Sequence, residues 1–199
     1  LAFGGPQAGR ATSSVGGGRD VKGLLQISRL IDAINDRFAT LAIWLVLLAC
    51  LVSAANATAR YLFNAGSNAW FEAQWYMFAA MVLLGAPHVL KVNEHVRVDV
   101  FYGNLSERTR IWIDIIGGFL FLLPMCAILI YFAWPWFARS WTIGETSHNA
   151  GGLLLWPIKL LFPLGFALMA LQGISEIIKR FAALQDLYRL PFGYEKPPQ

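Results

Sequence analysis

Charge is scarce in this sequence: Asp, Glu, Lys and Arg make up 14% of its 199 residues, where soluble domains carry about 25%. Cysteine is scarcer still. Cys50 and Cys126 are the only two; they lie in separate apolar stretches and form no CxxC pair, which excludes a disulfide framework and a thiol oxidoreductase. The three histidines, His88, His95 and His148, fall at no shared membrane depth where two could face one haem iron. Nor is any polar stretch long enough to bury a core of its own. These absences remove most soluble-enzyme readings and leave a chain that acts within a bilayer or through contact with other chains. No catalytic residue and no cofactor is expected.

Long apolar sequence is what the chain has in quantity, with 57% hydrophobic residues. Residues 38–59, 70–89, 111–137 and 153–178 each reach the roughly 20 residues that an α-helix needs to cross a hydrocarbon core of about 30 Å. Ahead of them, Leu24, Ile27, Leu30, Ile31 and Ile34 recur at helical spacing opposite Gln26, Arg29, Asp32, Asn35 and Asp36. That pattern predicts an amphipathic helix over 24–37, lying along the membrane interface or against a partner. Neither Gly nor Pro separates it from the first span. The expected fold class is an all-α membrane protein of four transmembrane helices preceded by an amphipathic interfacial helix. Residues 1–23, which include Gly16-Gly17-Gly18, are expected to be a disordered tail. Residues 24–182 form one four-helix domain in this reading, and residues 183–199 a second tail.

Orientation follows from the position of the basic residues. Of the 16 Lys and Arg, all but Arg60, Arg139 and Lys159 lie in the N-terminal segment, the second connection or the C-terminal tail. Cytoplasmic segments retain Lys and Arg, so both termini are expected in the cytoplasm. This topology accounts for the net charge of +4; membrane lipid is an expected partner and nucleic acid is not. Trp134, Trp136, Trp141 and Trp156 then form an aromatic girdle at the outer interface.

Ionisable residues within or beside the spans are functional candidates by default. With the termini inside, Arg60, Glu72, Glu145 and Lys159 all fall near the outer interface, and the mid-membrane positions around Leu48, Ala80, Pro124 and Phe166 are apolar. A proton or ion route needs polar groups at mid-depth. Two positive and two negative groups at one level point instead to structural ion pairing, Arg60 with Glu72 among the candidate pairs. Cys50, Ser53, Asn56 and Ala57 have the spacing of a close helix–helix contact. In the second connection, His88, Glu94, His95 and Asp99 match no standard metal-ligand spacing, and no metal is expected there. An interfacial elbow is expected instead, with Ser106 as the N-cap of the next helix. The third connection, 139–152, turns Glu145, Ser147 and His148 toward the outer compartment, within reach of a soluble partner.

One run of motifs carries a family resemblance. Arg60 precedes Asn68-Ala69-Trp70-Phe71-Glu72, followed by His88 and the block His95-Val96-Arg97-Val98-Asp99. Ser106-Glu107-Arg108-Thr109-Arg110, Asp114, Glu145-Thr146-Ser147, Trp156-Pro157-Ile158-Lys159 and Gln172-Gly173-Ile174-Ser175-Glu176 continue it. Over roughly residues 24–182 the chain resembles the small membrane (Q) subunit of tripartite ATP-independent periplasmic (TRAP) transporters, with His95, Arg97 and Asp99 the most specific match. Ala73 departs from the pattern, standing where many relatives carry a second acidic residue after Glu72. The resemblance implies a non-catalytic small permease subunit in a bacterial inner membrane. Its implied partners are a large membrane (M) subunit, which holds the substrate and sodium sites and moves as an elevator, and a periplasmic binding protein that delivers an organic acid. A second reading, an accessory structural subunit of a respiratory or photosynthetic complex, rests on the same four helices and few polar groups.

Overall fold

The computed structural model describes residues 17–92, 105–185 and 187–188; the motif residues His95, Arg97 and Asp99 lie outside them. Helix α1, Gly17–Phe63, is unbroken because no Gly or Pro interrupts the sequence between Leu24 and Phe63. At 1.5 Å per residue it is about 70 Å long, more than twice the thickness of a hydrocarbon core. It begins inside the segment expected to be a disordered tail, and residues 24–37 are its early turns rather than a separate element. It ends where Asn64 takes a left-handed conformation, φ 51°. Helix α2, Asn68–Val92, starts beside Ser67, whose Oγ accepts the Ala69 N–H at 3.3 Å.

Helix α3 runs from Glu107 to Ile143. Ser106 caps it, as expected, by accepting the Thr109 N–H at 3.3 Å, and Glu107 sits at the positive end of the helix dipole. A wide π turn at Gly118–Leu122 interrupts it. The cause is close at hand: Pro124 has no N–H to offer the preceding turn, and the ladder re-forms with a wider step. The helix stops at Gly144, φ 61°, a left-handed position that glycine takes without steric cost. Helix α4, Trp156–Leu184, carries Pro157 in its first turn, where a missing N–H costs nothing.

Among the described residues, these four helices are long and apolar enough to span a bilayer. α4 packs against each of the other three, α1 packs against α2, and α3 leans on α4. Ala80 and Leu84 of α2 meet Leu168 of α4 at the centre, flanked by Phe38, Leu45, Leu161 and Leu164. The α2–α4 approach depends on Gly165: a Cβ there would lie 2.9 Å from Leu83 Cβ and 3.0 Å from the Leu83 carbonyl oxygen. Backbones this close are how membrane helices gain dispersion contact where no hydrophobic drive separates protein from lipid. The small-residue stripe on α1 behaves otherwise. Asn56 is buried, but Cys50, Ser53 and Ala57 are exposed, so the close contact expected of them is not made among the described residues.

The antiparallel course gathers the α1–α2 and α3–α4 connections at one end of the molecule, the loop end. The start of α1, the end of α2, the start of α3 and the end of α4 share the other, the terminal end. At the terminal end α1 presents its faces in an unexpected order. Ser28, Ile31 and Asn35 are buried, whereas Leu24, Ile27, Leu30 and Ile34 are exposed. Ser28, Asp32 and Asn35 face α4 with Ile31 among them, while Leu24, Ile27, Leu30 and Ile34 face out together with Gln26 and Arg29.

Candidate functional site

Ionisable side chains collect in two belts. Lys159 and Glu176 of α4 stand about 26 Å apart along the helix, and Glu72 and Lys91 of α2 about 28 Å. Both separations approach the roughly 30 Å of a hydrocarbon core. Between the belts the buried residues include Ala80, Leu84 and Leu168.

At the loop end, residues 145–155 form a small hairpin. Thr146 bridges to Leu154, the Ser147 N–H donates to the Leu153 carbonyl at 2.9 Å, and the Leu155 N–H to that of Glu145 at 2.8 Å. Gly152 lets the turn close, because a Cβ there would lie 2.6 Å from Ser147 Cβ. The hairpin is pinned by one helical face. Glu72, 1% exposed, accepts the Ser147 hydroxyl, the Asn149 amide at 2.7 Å and the Leu153 N–H at 2.7 Å. One turn further along α2, the Tyr76 hydroxyl donates to the Leu154 carbonyl at 3.1 Å. Among the described residues, the three donors that meet this carboxylate are a hydroxyl, an amide and a backbone N–H.

The other charges expected at this depth are arranged differently from the pairing of Arg60 with Glu72. Arg60 lies over the Phe71 ring, 4.8 Å from its centroid. Lys159 donates to Glu145 and rests 4.7 Å from the centroid of Trp136. The Lys159 ammonium holds the Glu145 carboxyl below the usual carboxylate range. Of the three loop residues expected to face a partner, Glu145 and Ser147 are therefore engaged within the chain, and His148 is exposed. Trp134, Trp136 and Trp141 stand around this end, each about half exposed.

The terminal end holds a denser network. Lys179, with a side chain 7% exposed, donates to both oxygens of Asp32, at 2.9 and 2.7 Å, and to Glu176 at 2.8 Å. Gln172 donates to Asp32 at 3.0 Å and Glu176 at 3.1 Å, and accepts the Asn35 amide at 2.7 Å. Ser175 joins Ser28 at 2.7 Å and Asp32 at 3.0 Å. Arg180 takes Glu176 at 2.6 Å and, from α3, Asp114 at 3.1 Å. On the α2 side, Asp36 accepts Lys91 at 2.6 Å and pairs with His88 Nδ1 at 3.0 Å. This network ties α1, α2 and α3 to one another or to α4 by charge.

Sequence reasoning missed this second belt, although a signal was present. Gln172, Ser175, Glu176 and Lys179 recur on α4 at steps of three and four, as Ser28, Asp32, Asn35 and Asp36 do on α1. Two polar stripes of complementary charge on long apolar helices have more to gain from each other than from an apolar surrounding.

Four helices able to span a bilayer, with their ionisable groups gathered and partnered at the two ends, define a multi-pass membrane protein. The family model for tripartite ATP-independent periplasmic transporters, DctQ component, matches residues 48–183. The chain belongs to that family, the small permease subunit of TRAP transporters. The match takes in both connections at the loop end and the polar stripe of α4; the early turns of α1, with Asp32, Asn35 and Asp36, precede it. No match to the chain emerged among curated proteins.

Proposed function

We propose that this subunit is the fixed brace of its transporter: it holds a large transport subunit in the inner membrane while that partner carries an organic acid inward, coupled to sodium. A periplasmic binding protein delivers the substrate, and both termini of the brace are cytoplasmic. The observation that carries this reading is the division of the chain into two belts of partnered charge with an apolar layer between them. Transport of an ion or an acid through the chain would call for polar groups at mid-depth. A body that stays fixed calls for ends tied together by charge and for tryptophans able to anchor at an interface, and the partnered belts and half-exposed Trp134, Trp136 and Trp141 support that reading.

In this reading the loop end faces the periplasm. The hairpin 145–155, stiffened by Glu72 and Tyr76, offers the exposed His148 where a binding protein docks, and Arg60, Glu72, Glu145 and Lys159 act structurally. Family membership supports the transporter, and nothing comparable favours an accessory subunit of a respiratory or photosynthetic complex. The test is reconstitution. Proteoliposomes holding the large subunit, this chain and the binding protein should take up the acid on a sodium gradient, and those holding this chain alone should take up none. Uptake by the chain alone would overturn the proposal.

A further inference from the structure

The terminal belt leaves one oxygen over. Asn35 is 1% exposed, and its Oδ1 has no hydrogen-bond partner among the described residues. Ser140 Oγ at the loop end is likewise buried without a partner, but the Glu145 carboxylate lies beside it, so a turn of the O–H supplies an acceptor. Asn35 has no such remedy. A carbonyl oxygen needs a donor brought to it, and burial without one is costly.

The amide cannot be turned round to find one. Gln172 spends the N–H bonds of its Nε2 on two carboxylates, Asp32 at 3.0 Å and Glu176 at 3.1 Å. Its Oε1 therefore points to α1 and takes Asn35 Nδ2 at 2.7 Å. Turning Asn35 alone would set two amide oxygens against each other, and turning both amides would set the Gln172 oxygen against the carboxylates. The donors nearby are spent as well. Lys179 gives its N–H bonds to Asp32 and Glu176. Ser175 gives its hydroxyl to Asp32, so Ser28 gives its own to Ser175. Helical N–H groups are used within their helices.

We propose that one internal water molecule is bound beside Asn35, where α1 meets α4, and donates to its Oδ1. A donor from another chain has no way in, because Asn35 is closed to the outside. A metal cation is a poorer fit, since the Lys179 ammonium already stands on Asp32 and Glu176 and repels a second positive charge. Water carries no charge, and its other hydrogen has a place on the second lone pair that a helical carbonyl keeps. Internal waters make about three such bonds each, to polar groups that burial would otherwise orphan. The water completes the face that ties α1 to α4, at the point where Asn35 and Gln172 meet. Its site belongs to this chain and holds whether or not the chain braces a partner.

A map of the assembled transporter in lipid nanodiscs, at a resolution that shows ordered water, tests it. One peak is expected at about 2.7–3.2 Å from Asn35 Oδ1, with at least one further protein oxygen at the same range. The peak should be lost in Asn35→Leu, whose side chain is of similar volume and offers no acceptor. A map that shows water elsewhere in the protein but none beside Asn35 overturns the site. A peak ringed by oxygens at about 2.4 Å overturns the water in favour of a cation. A peak that stays unchanged in Asn35→Leu means that Asn35 does not hold it, and overturns the assignment. Should Asn35→Leu fail to assemble, the wild-type map decides by itself.

Discussion

The two ends of the molecule solve the same problem with different chemistry. At the loop end, the buried carboxylate of Glu72 is met, among the described residues, by neutral donors, a hydroxyl, an amide and a backbone N–H. All three come from one hairpin, so Glu72 shapes a connection. At the terminal end, Asp32 of α1 and Asp114 of α3 are met by Lys179 and Arg180 of α4, so these pairs cross between helices, while Glu176 meets both cations from within α4. That belt sets how helices lie against one another. The same side-chain type thus organises a loop in one place and a helix arrangement in the other, and the consequences of removing it should differ accordingly.

Lys179 is where the contrast should be largest. Lys179→Met leaves Asp32 and Glu176 facing each other across a site that is mostly closed to water, with Gln172 and Ser175 as neutral donors. Removing one partner of a buried charge set costs about 3–5 kcal/mol. Thermal unfolding of the purified chain in detergent should show a large loss, and Asp32→Asn introduced with Lys179→Met should recover much of it. An equal loss from Lys179→Met and from Glu72→Gln would erase the distinction between the two ends.

Glu72→Gln should act more locally. The amide keeps one acceptor oxygen but turns an NH2 group toward the donors of Ser147, Asn149 and Leu153, so at least one hydrogen bond becomes a clash of donors. Tyr76 still holds Leu154, and the four helices keep their packing. Hydrogen exchange or limited proteolysis across 145–155 should accelerate several-fold while the thermal midpoint moves much less than in Lys179→Met. A global loss of folding from Glu72→Gln would show that the hairpin is part of the cooperative core.

What could be read from sequence follows the same division. Four helices able to span a bilayer were legible because length and hydropathy need no knowledge of neighbours, and the Ser106 cap because capping is local. The continuity of α1 was visible in the lack of Gly and Pro. Its facing was not. An amphipathic pattern shows that a helix has two sides, and in water the apolar side would turn inward. Here Gln172, Ser175 and Lys179 wait on α4, and Ser28, Asp32 and Asn35 turn inward with Ile31 while most of the apolar side stays out. Arg60 and Glu72 share a depth, which the sequence did suggest, but depth alone cannot rank partners. Glu72 is taken by a hairpin more than seventy residues away in the chain, whose own turn depends on Gly152.

The smallest effect expected is one of pH, and it separates Glu145 from Glu72 within the loop end. Lys159 lowers the Glu145 carboxyl from its ordinary value of 4.5. A carboxyl whose folded value is depressed adds stability that is fully present above its unfolded value, and this is lost as pH falls through the folded value. The Lys159–Glu145 contact should therefore hold from neutral pH to about 4.5 and weaken only below it. Lys159→Met removes the ammonium that donates to Glu145, so the Glu145 carboxyl should return toward the ordinary range and take up its proton at higher pH. Nuclear magnetic resonance of a side-chain-labelled Glu145 reads this directly: its titration should move up in Lys159→Met and stay in place in Glu72→Gln. A midpoint that is the same with and without Lys159 would mean that the ammonium is not what holds Glu145 ionised.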